Sequence, residues 1–280
     1  MTQLRAPVRA GSFYPAHARE LEQIVNHYLD QVGPMKLRGD LLGLVSPHAG
    51  YIYSGQTAAH SYALVRDAQA QGQAFDLVVV LSPAHFVGAG GFIITQASAY
   101  QTPLGAVELD HDAVEALSQE VDVHRIEFDG EHAIEVQLPF LQVTLGTFTL
   151  LPVMVGHSAL RAGEELGHAL FKILAGKNAL IVASSDLHHI ASYEQVTRRD
   201  KEVIDALKSM DLTRIKHSFS PRDCSVCGRV PIYAMLIAAT TAGANRVELL
   251  HYTNSGDVTG MRASDQYTVG YMAAAAIREP

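Results

Sequence analysis

Phe75-Asp76-Leu77-Val78-Val79-Val80-Leu81 runs straight into Ser82-Pro83-Ala84-His85. An apolar run without alternation reads as a strand buried on both faces, the kind found inside a parallel sheet. The proline then turns the chain and delivers an imidazole just past the carboxyl end of the strand. Two other stretches end in the same way. Leu41-Leu42-Gly43-Leu44-Val45 leads into Ser46-Pro47-His48, and Ala179-Leu180-Ile181-Val182-Ala183 leads into Ser184-Ser185-Asp186-Leu187-His188-His189. Ligands of open α/β sheets bind at that carboxyl edge. Three histidine-bearing strand ends predict one metal-capable pocket, assembled from segments far apart in sequence.

Helical spacing surrounds these strands. Leu21, Ile24, Val25, Tyr28 and Leu29 mark a helix over 17–31, stopped by Gly33-Pro34. An alanine-rich helix follows Ser54-Gly55 and runs to about Gln71. Further helices are predicted over 111–120, 131–140, 161–177, 195–210 and 232–241. Further strands are predicted over 92–95, 106–109, 149–155, 247–253 and 266–272, with a glycine loop at Gly88-Ala89-Gly90-Gly91. Within 131–140, Pro139 either kinks the helix or opens a new turn. Alternating strands and helices without a linker predict an α/β fold. It is one domain over residues 1–280, with a mixed, largely parallel central sheet flanked by helices.

Composition narrows the class. The 280 residues are 48% hydrophobic, enough for a sizeable core. A dispersed net charge of -8, without a basic cluster, argues against nucleic acid as a partner. The apolar runs are too short to span a bilayer, and residues 1–7 do not read as a secretory signal. Two cysteines make no disulfide framework, and a reducing cytoplasm is the expected compartment.

Several residues carry candidate chemistry. His48 and His85 share a proline-turn setting and together suggest ligands of one ion. Asp186 with His188 and His189 offers a carboxylate and two imidazoles. Asp186 is read as a ligand, an orienter or a general base, against the plain alternative of a helix cap. Adjacent residues diverge, so at most one of the two histidines enters the site. In Glu131-His132-x-x-Glu135 a pocket role competes with an ordinary helix start. Cys224-x-x-Cys227 is half of a structural zinc motif without its second half. Cys227-Gly228-Arg229-Val230-Pro231 places a thiol before a helix, where its pKa is expected to fall and metal binding becomes possible. The alternative is a buried free cysteine. His132, Tyr51, Tyr53 and Arg229 are the candidates to line a pocket for a small anionic or phenolic substrate.

Seven of these segments occur in a characteristic order. Pro47-His48-Ala49-Gly50-Tyr51, Ser82-Pro83-Ala84-His85, Tyr100-Gln101-Thr102-Pro103-Leu104-Gly105, Glu131 through Pro139, Leu151-Pro152-Val153-Met154-Val155-Gly156, Ser184-Ser185-Asp186 and Cys227 through Pro231 together resemble the Memo family. The resemblance extends from Arg9 to the end of the chain. It implies a fold similar to class III extradiol non-haem iron dioxygenases. It also implies a metal pocket of His48, His85 and Cys227, with Asp186 and His189 nearby and His132 facing in. The resemblance carries iron or copper as the metal, redox chemistry, and for prokaryotic members an association with a radical SAM protein. Sulfur is a softer donor than the carboxylate of non-haem iron oxygenases and favours copper(I) or zinc. Asp186 remains the alternative carboxylate around the same ion.

Three functions follow as expectations. The first is a metal-dependent oxidoreductase, oxygenase-like, acting on an unknown small molecule. The second is a non-catalytic module that keeps the pocket to recognise a peptide or partner. The third is a metal-dependent hydrolase with Glu135 or His132 as base.

Overall fold

The computed structural model describes residues 3–88, 90–156 and 159–280. Ala89 of the expected glycine loop lies outside them. In chain order, a short strand β1 (Leu4–Arg5) precedes α1 (Ala18–Val32), which buries Leu21, Val25 and Leu29 at helical spacing. Gly33, at φ +69°, ends that helix. Next come β2 (Asp40–Ser46), α2 (Tyr51–Ala70) and β3 (Leu77–Pro83). The segment that follows supplies β4 (Phe92–Thr95), β5 (Ala99–Thr102), β6 (Gly105–Glu108), α3 (His111–Glu120) and β7 (Val123–Ile126). After a 3-10 turn at Glu135–Gln137 come α4 (Leu138–Leu145), β8 (Thr149–Val155), α5 (Leu160–Ile173) and β9 (Ala179–Ser184). The last third holds β10 (His189–Ala191), α6 (Tyr193–Lys208), α7 (Leu212–Phe219) and α8 (Arg229–Thr241). The chain closes with β11 (Arg246–Asn254), α9 (Ser255–Thr259) and β12 (Tyr267–Arg278).

The large sheet runs β10-β12-β2-β9-β3-β8-β4-β7, with β11 also paired to β12. Its centre, β2-β9-β3-β8, is parallel, and β12 and β4 join it antiparallel. This is an α/β fold with a mixed sheet. Every residue of β3 is buried, as expected for a strand covered on both faces. β9 enters late in the chain, between β2 and β3. All three histidine-bearing strands are therefore neighbours, aligned by Ser46 opposite Ser184 and Leu81 opposite Ala183. A separate small sheet, β1-β5-β6, carries Arg5, which pairs with Asp129 and Glu135.

Two expectations from the sequence need correction. Residues 131–140 are not one helix. The chain makes turns up to Ile134, then the 3-10 turn, and α4 begins with Pro139 in its first turn, where a missing N–H is harmless. The final strand reaches Arg278 and takes in Met272-Ala273-Ala274-Ala275-Ala276. Alanine favours helix in isolation. Here β11 and β2 pair with both edges of that run, and the tertiary ladder wins.

Candidate metal centre

His48 follows the Pro47 turn after β2 and is fully buried. Its ring is fixed by a chain of hydrogen bonds that leaves one tautomer. Tyr62 Oη donates to Gln137 Oε1 at 2.6 Å, which orients the amide. Gln137 Nε2 then donates to Ser184 Oγ at 2.8 Å and to the Pro47 carbonyl at 3.0 Å. The Ser184 hydroxyl gives its only proton to the Ala133 carbonyl at 2.7 Å. His48 Nδ1, 2.9 Å from the same Oγ, must therefore be the donor. Nε2 is left unprotonated, the state a metal requires.

His85 follows the matching turn after β3, and its side chain is more open. Glu131 holds this turn, accepting the N–H groups of Phe86 at 2.5 Å and Val87 at 2.8 Å through Oε1. Its Oε2 lies 3.7 Å from His85 Nδ1. Burial raises the Glu131 pKa, but hydrogen bonds from His85, Phe86 and Val87 outweigh it and leave the carboxyl at about 2. His132 stacks on His85, with ring centres 5.0 Å apart, and meets His48 edge-on at 5.5 Å. Burial, then the neighbouring His48 and His85, push His132 down to about 3.

Cys227 completes the group. Its Sγ lies 3.3 Å from His48 Nε2 and accepts the Asp186 N–H at 3.3 Å. Gly228 makes this approach possible. A Cβ there would sit 2.4 Å from the Ser185 Cβ, and the Gly228 N–H donates to Ser185 Oγ at 2.9 Å. The expected low thiol pKa is corrected. Burial, with Asp186 adding to it, pushes Cys227 up to about 12. The helix start does not compensate for loss of water around the sulfur.

One ligand atom each from His48, His85 and Cys227 lies within 4.8 Å of the others. An ion at about 2.0–2.3 Å from nitrogen and sulfur donors holds them roughly 3.5 Å apart, so the set fits with small adjustment. His85, Glu131 and His132 form a second such set around the shared His85. Buried atoms without hydrogen-bond partners mark the same place: Glu131 Oε2, His132 Nδ1 and His189 Nε2. His48 is held well below the usual imidazole range, first by burial and then by His85 and His189. Burial also lowers His189, although Asp186 opposes it. The His48 and His132 imidazoles are neutral and the Cys227 thiol protonated until an ion arrives.

Asp186 is buried, and its Oδ1 accepts the His48 N–H at 2.9 Å. It shapes the Pro47-His48 turn and lies outside both donor sets. Burial raises its pKa. His188 and His189 diverge. His188 points to Asp200 (Nδ1 to Oδ1, 2.9 Å), whereas His189 sits near Tyr267, with Nδ1 3.5 Å from its hydroxyl. Glu135 belongs to the frame. Its two oxygens accept from Arg5, the Val8 and Arg9 N–H groups and the Tyr14 hydroxyl. Tyr51, Tyr53, Arg229 and His132, the candidates to line a substrate pocket, engage different partners. Tyr51 Oη donates to the Val136 carbonyl. Tyr53 lines a cavity beside Tyr267, whereas Arg229 bonds the Phe219 carbonyl and lines the cavity that holds Cys227. Gln137, Ser184 and Tyr62 were missed. A serine directly after all three apolar runs, at Ser46, Ser82 and Ser184, was the available signal.

A family model described as Memo-like protein matches residues 5–275. A MEMO1 family protein of Methanosarcina acetivorans is 38% identical over 275 residues, covering 97% of this chain and 98% of its own. One from Nitrosopumilus maritimus is 34% identical over 277 residues, covering 96% and 98%. Among solved structures, an uncharacterized protein of Escherichia coli K12 aligns with a TM-score of 0.54 at 14% identity. That alignment covers 84% of this chain and 99% of the other, a likeness of fold. By the family model and by these relatives, the chain belongs to the Memo family.

Proposed function

We propose that His48, His85 and Cys227 hold one iron or copper ion and that the pocket carries out metal-dependent redox chemistry on a small molecule. The supporting observation is the convergence of three donors around the unprotonated His48 Nε2, with no carboxylate among them. A thiolate with two imidazoles suits a soft, redox-active ion, with zinc as the redox-silent competitor. When bound, the ion supplies electron transfer and activation of a ligand at its open positions. The chain contributes the rest. Cys227 surrenders its proton on binding, and the Asp186 N–H steadies the thiolate. His132, neutral down to about pH 3 and facing His48 and His85, accepts a proton from a substrate. His189 is a second neutral acceptor on the Asp186 side, and Asp186 positions His48. Hydrolysis with Glu135 as base loses its support, because that carboxylate is saturated by structural donors.

The test is to load the purified protein anaerobically with iron(II) or copper(I), add a reductant and dioxygen, and follow oxygen uptake with the oxidation state of the ion. Metal-dependent uptake that disappears in His48→Ala supports the reading. An ion that stays bound in one oxidation state throughout contradicts it.

A further inference from the structure

Two residues singled out in the sequence take no part in the three-donor cluster, Cys224 and His188. They come together elsewhere. His188 is buried, and both its Nδ1 and its N–H lie against Asp200 Oδ1, at 2.9 and 3.0 Å. Tyr252 Oη donates to the other Asp200 oxygen at 2.9 Å. Space is reserved for this carboxylate, since a Cβ on Gly270 would sit 1.8 Å from it. Asp200 therefore keeps the His188 Nδ1 protonated. Nε2 is buried and closes no hydrogen bond among the described residues. The Cys224 side chain is the group that interacts with the His188 ring on its far side from Asp200 in charge and hydrogen bonding. Cys224 is half-buried and lines a cavity of about 300 Å³ together with Pro83, Ala84, Val155 and Cys227.

The two cysteines differ in kind. Burial raises the Cys224 pKa, but His188, the Val226 N–H and Arg229 bring it below the ordinary thiol value. Burial lowers His188, but Asp200 and Cys224 lift it to about 9. The pair is a thiolate beside an imidazolium, oriented by a carboxylate, which is the arrangement of an activated nucleophile.

We propose that Cys224, His188 and Asp200 form a second reactive centre, independent of the metal, in which the Cys224 sulfur attacks small hydroperoxides. The sulfur bonds to the terminal oxygen, the O–O bond breaks, and the His188 proton goes to the departing oxygen. An alcohol or water leaves, the peroxide is reduced, and the sulfur is oxidised by two electrons to sulfenic acid. Displacement at a peroxide oxygen needs only a thiolate and a proton for the leaving group, and this cluster supplies both. Asp200 acts through His188 as a positioning residue.

The test uses the full chain, treated with chelator, given hydrogen peroxide and dimedone, and read by peptide mass spectrometry. An ordinary thiol is only a few per cent ionised at pH 7, and a low-pKa thiolate is a somewhat weaker nucleophile. His188→Gln should therefore slow labelling of Cys224 at pH 7 by about three- to tenfold, with the gap closing above about pH 10. In the wild-type protein alone, the rate of alkylation by iodoacetamide should reach half its plateau below the ordinary thiol value of about 8.5. This arm decides the matter should the variant not fold. Labelling of Cys227 as fast as Cys224, equal rates in a folded His188→Gln variant, or a midpoint at or above the ordinary value overturns the proposal.

Discussion

Ser184 carries more of the metal centre than any single ligand reveals. Its hydroxyl accepts from Gln137 and His48 and donates to Ala133, so no orientation is left in which His48 Nε2 is protonated. Ser184→Ala should weaken metal affinity by about 10–100-fold, the usual effect of losing a partner behind a ligand, while the fold persists. Metal titration followed by circular dichroism checks both parts. Cys227 makes a prediction about pH. Its thiol sits at about 12 without metal, so binding displaces one proton. The apparent affinity should rise about tenfold for each unit of pH between 6 and 9. Calorimetry in buffers of different protonation heat would count that proton, and a count of zero would mean the thiol is not the ligand. At this scale the sequence was partly legible. Proline turns after apolar runs placed His48 and His85. The thiol pKa was not legible, because burial against Asp186 is a tertiary fact and outweighs the local helix start.

At the scale of elements, the contact between β9 and the start of α8 sets the position of Cys227. Gly228 has φ -95°, which any residue can adopt, so only space demands glycine there. Gly228→Ala drives a Cβ into Ser185 and should cost about 1–3 kcal/mol by overpacking. Because the helix start is displaced with it, metal affinity should fall in the same variant, as denaturant melts and metal titration would record. Loss of stability without loss of affinity would separate Cys227 from the helix position. The elements also explain where the reading of the sequence fell short. The last strand was expected to stop at Met272 because the alanines after it have the composition of a helix, and only pairing with β2 and β11 carries the strand on to Arg278. Glu131 to Gln137 looked helical because Glu131, His132 and Glu135 repeat at helical spacing. Those side chains instead serve three places: the His85 turn, the pocket and the Arg5 frame.

For the whole molecule, the decisive event is the insertion of β9 between β2 and β3. Three matching strand ends were visible in the sequence, but their adjacency was not, since strand order depends on crossovers that local pattern does not encode. The same long-range packing makes stability depend on pH from both sides. His188 is raised from an ordinary 6.5 to about 9, so its contribution is complete below 6.5 and is lost as pH rises through 9. Glu131 is lowered from 4.5 to about 2, so its contribution is complete above 4.5 and is lost as pH falls through 2. Denaturant melts across these windows should show the stability gap between wild type and His188→Gln narrowing from pH 6.5 to 9.5. A constant gap would assign that residue a packing role alone. The claim on which the rest depends is the ion on His48, His85 and Cys227. It is tested most directly by metal analysis of anaerobically purified protein with X-ray absorption at the metal edge, in wild type and in Cys227→Ser. The prediction is one iron or copper per chain with a sulfur neighbour at about 2.3 Å, and loss of the ion in the variant. Full metal retention without Cys227, or a wild-type ion with no sulfur neighbour, would contradict it.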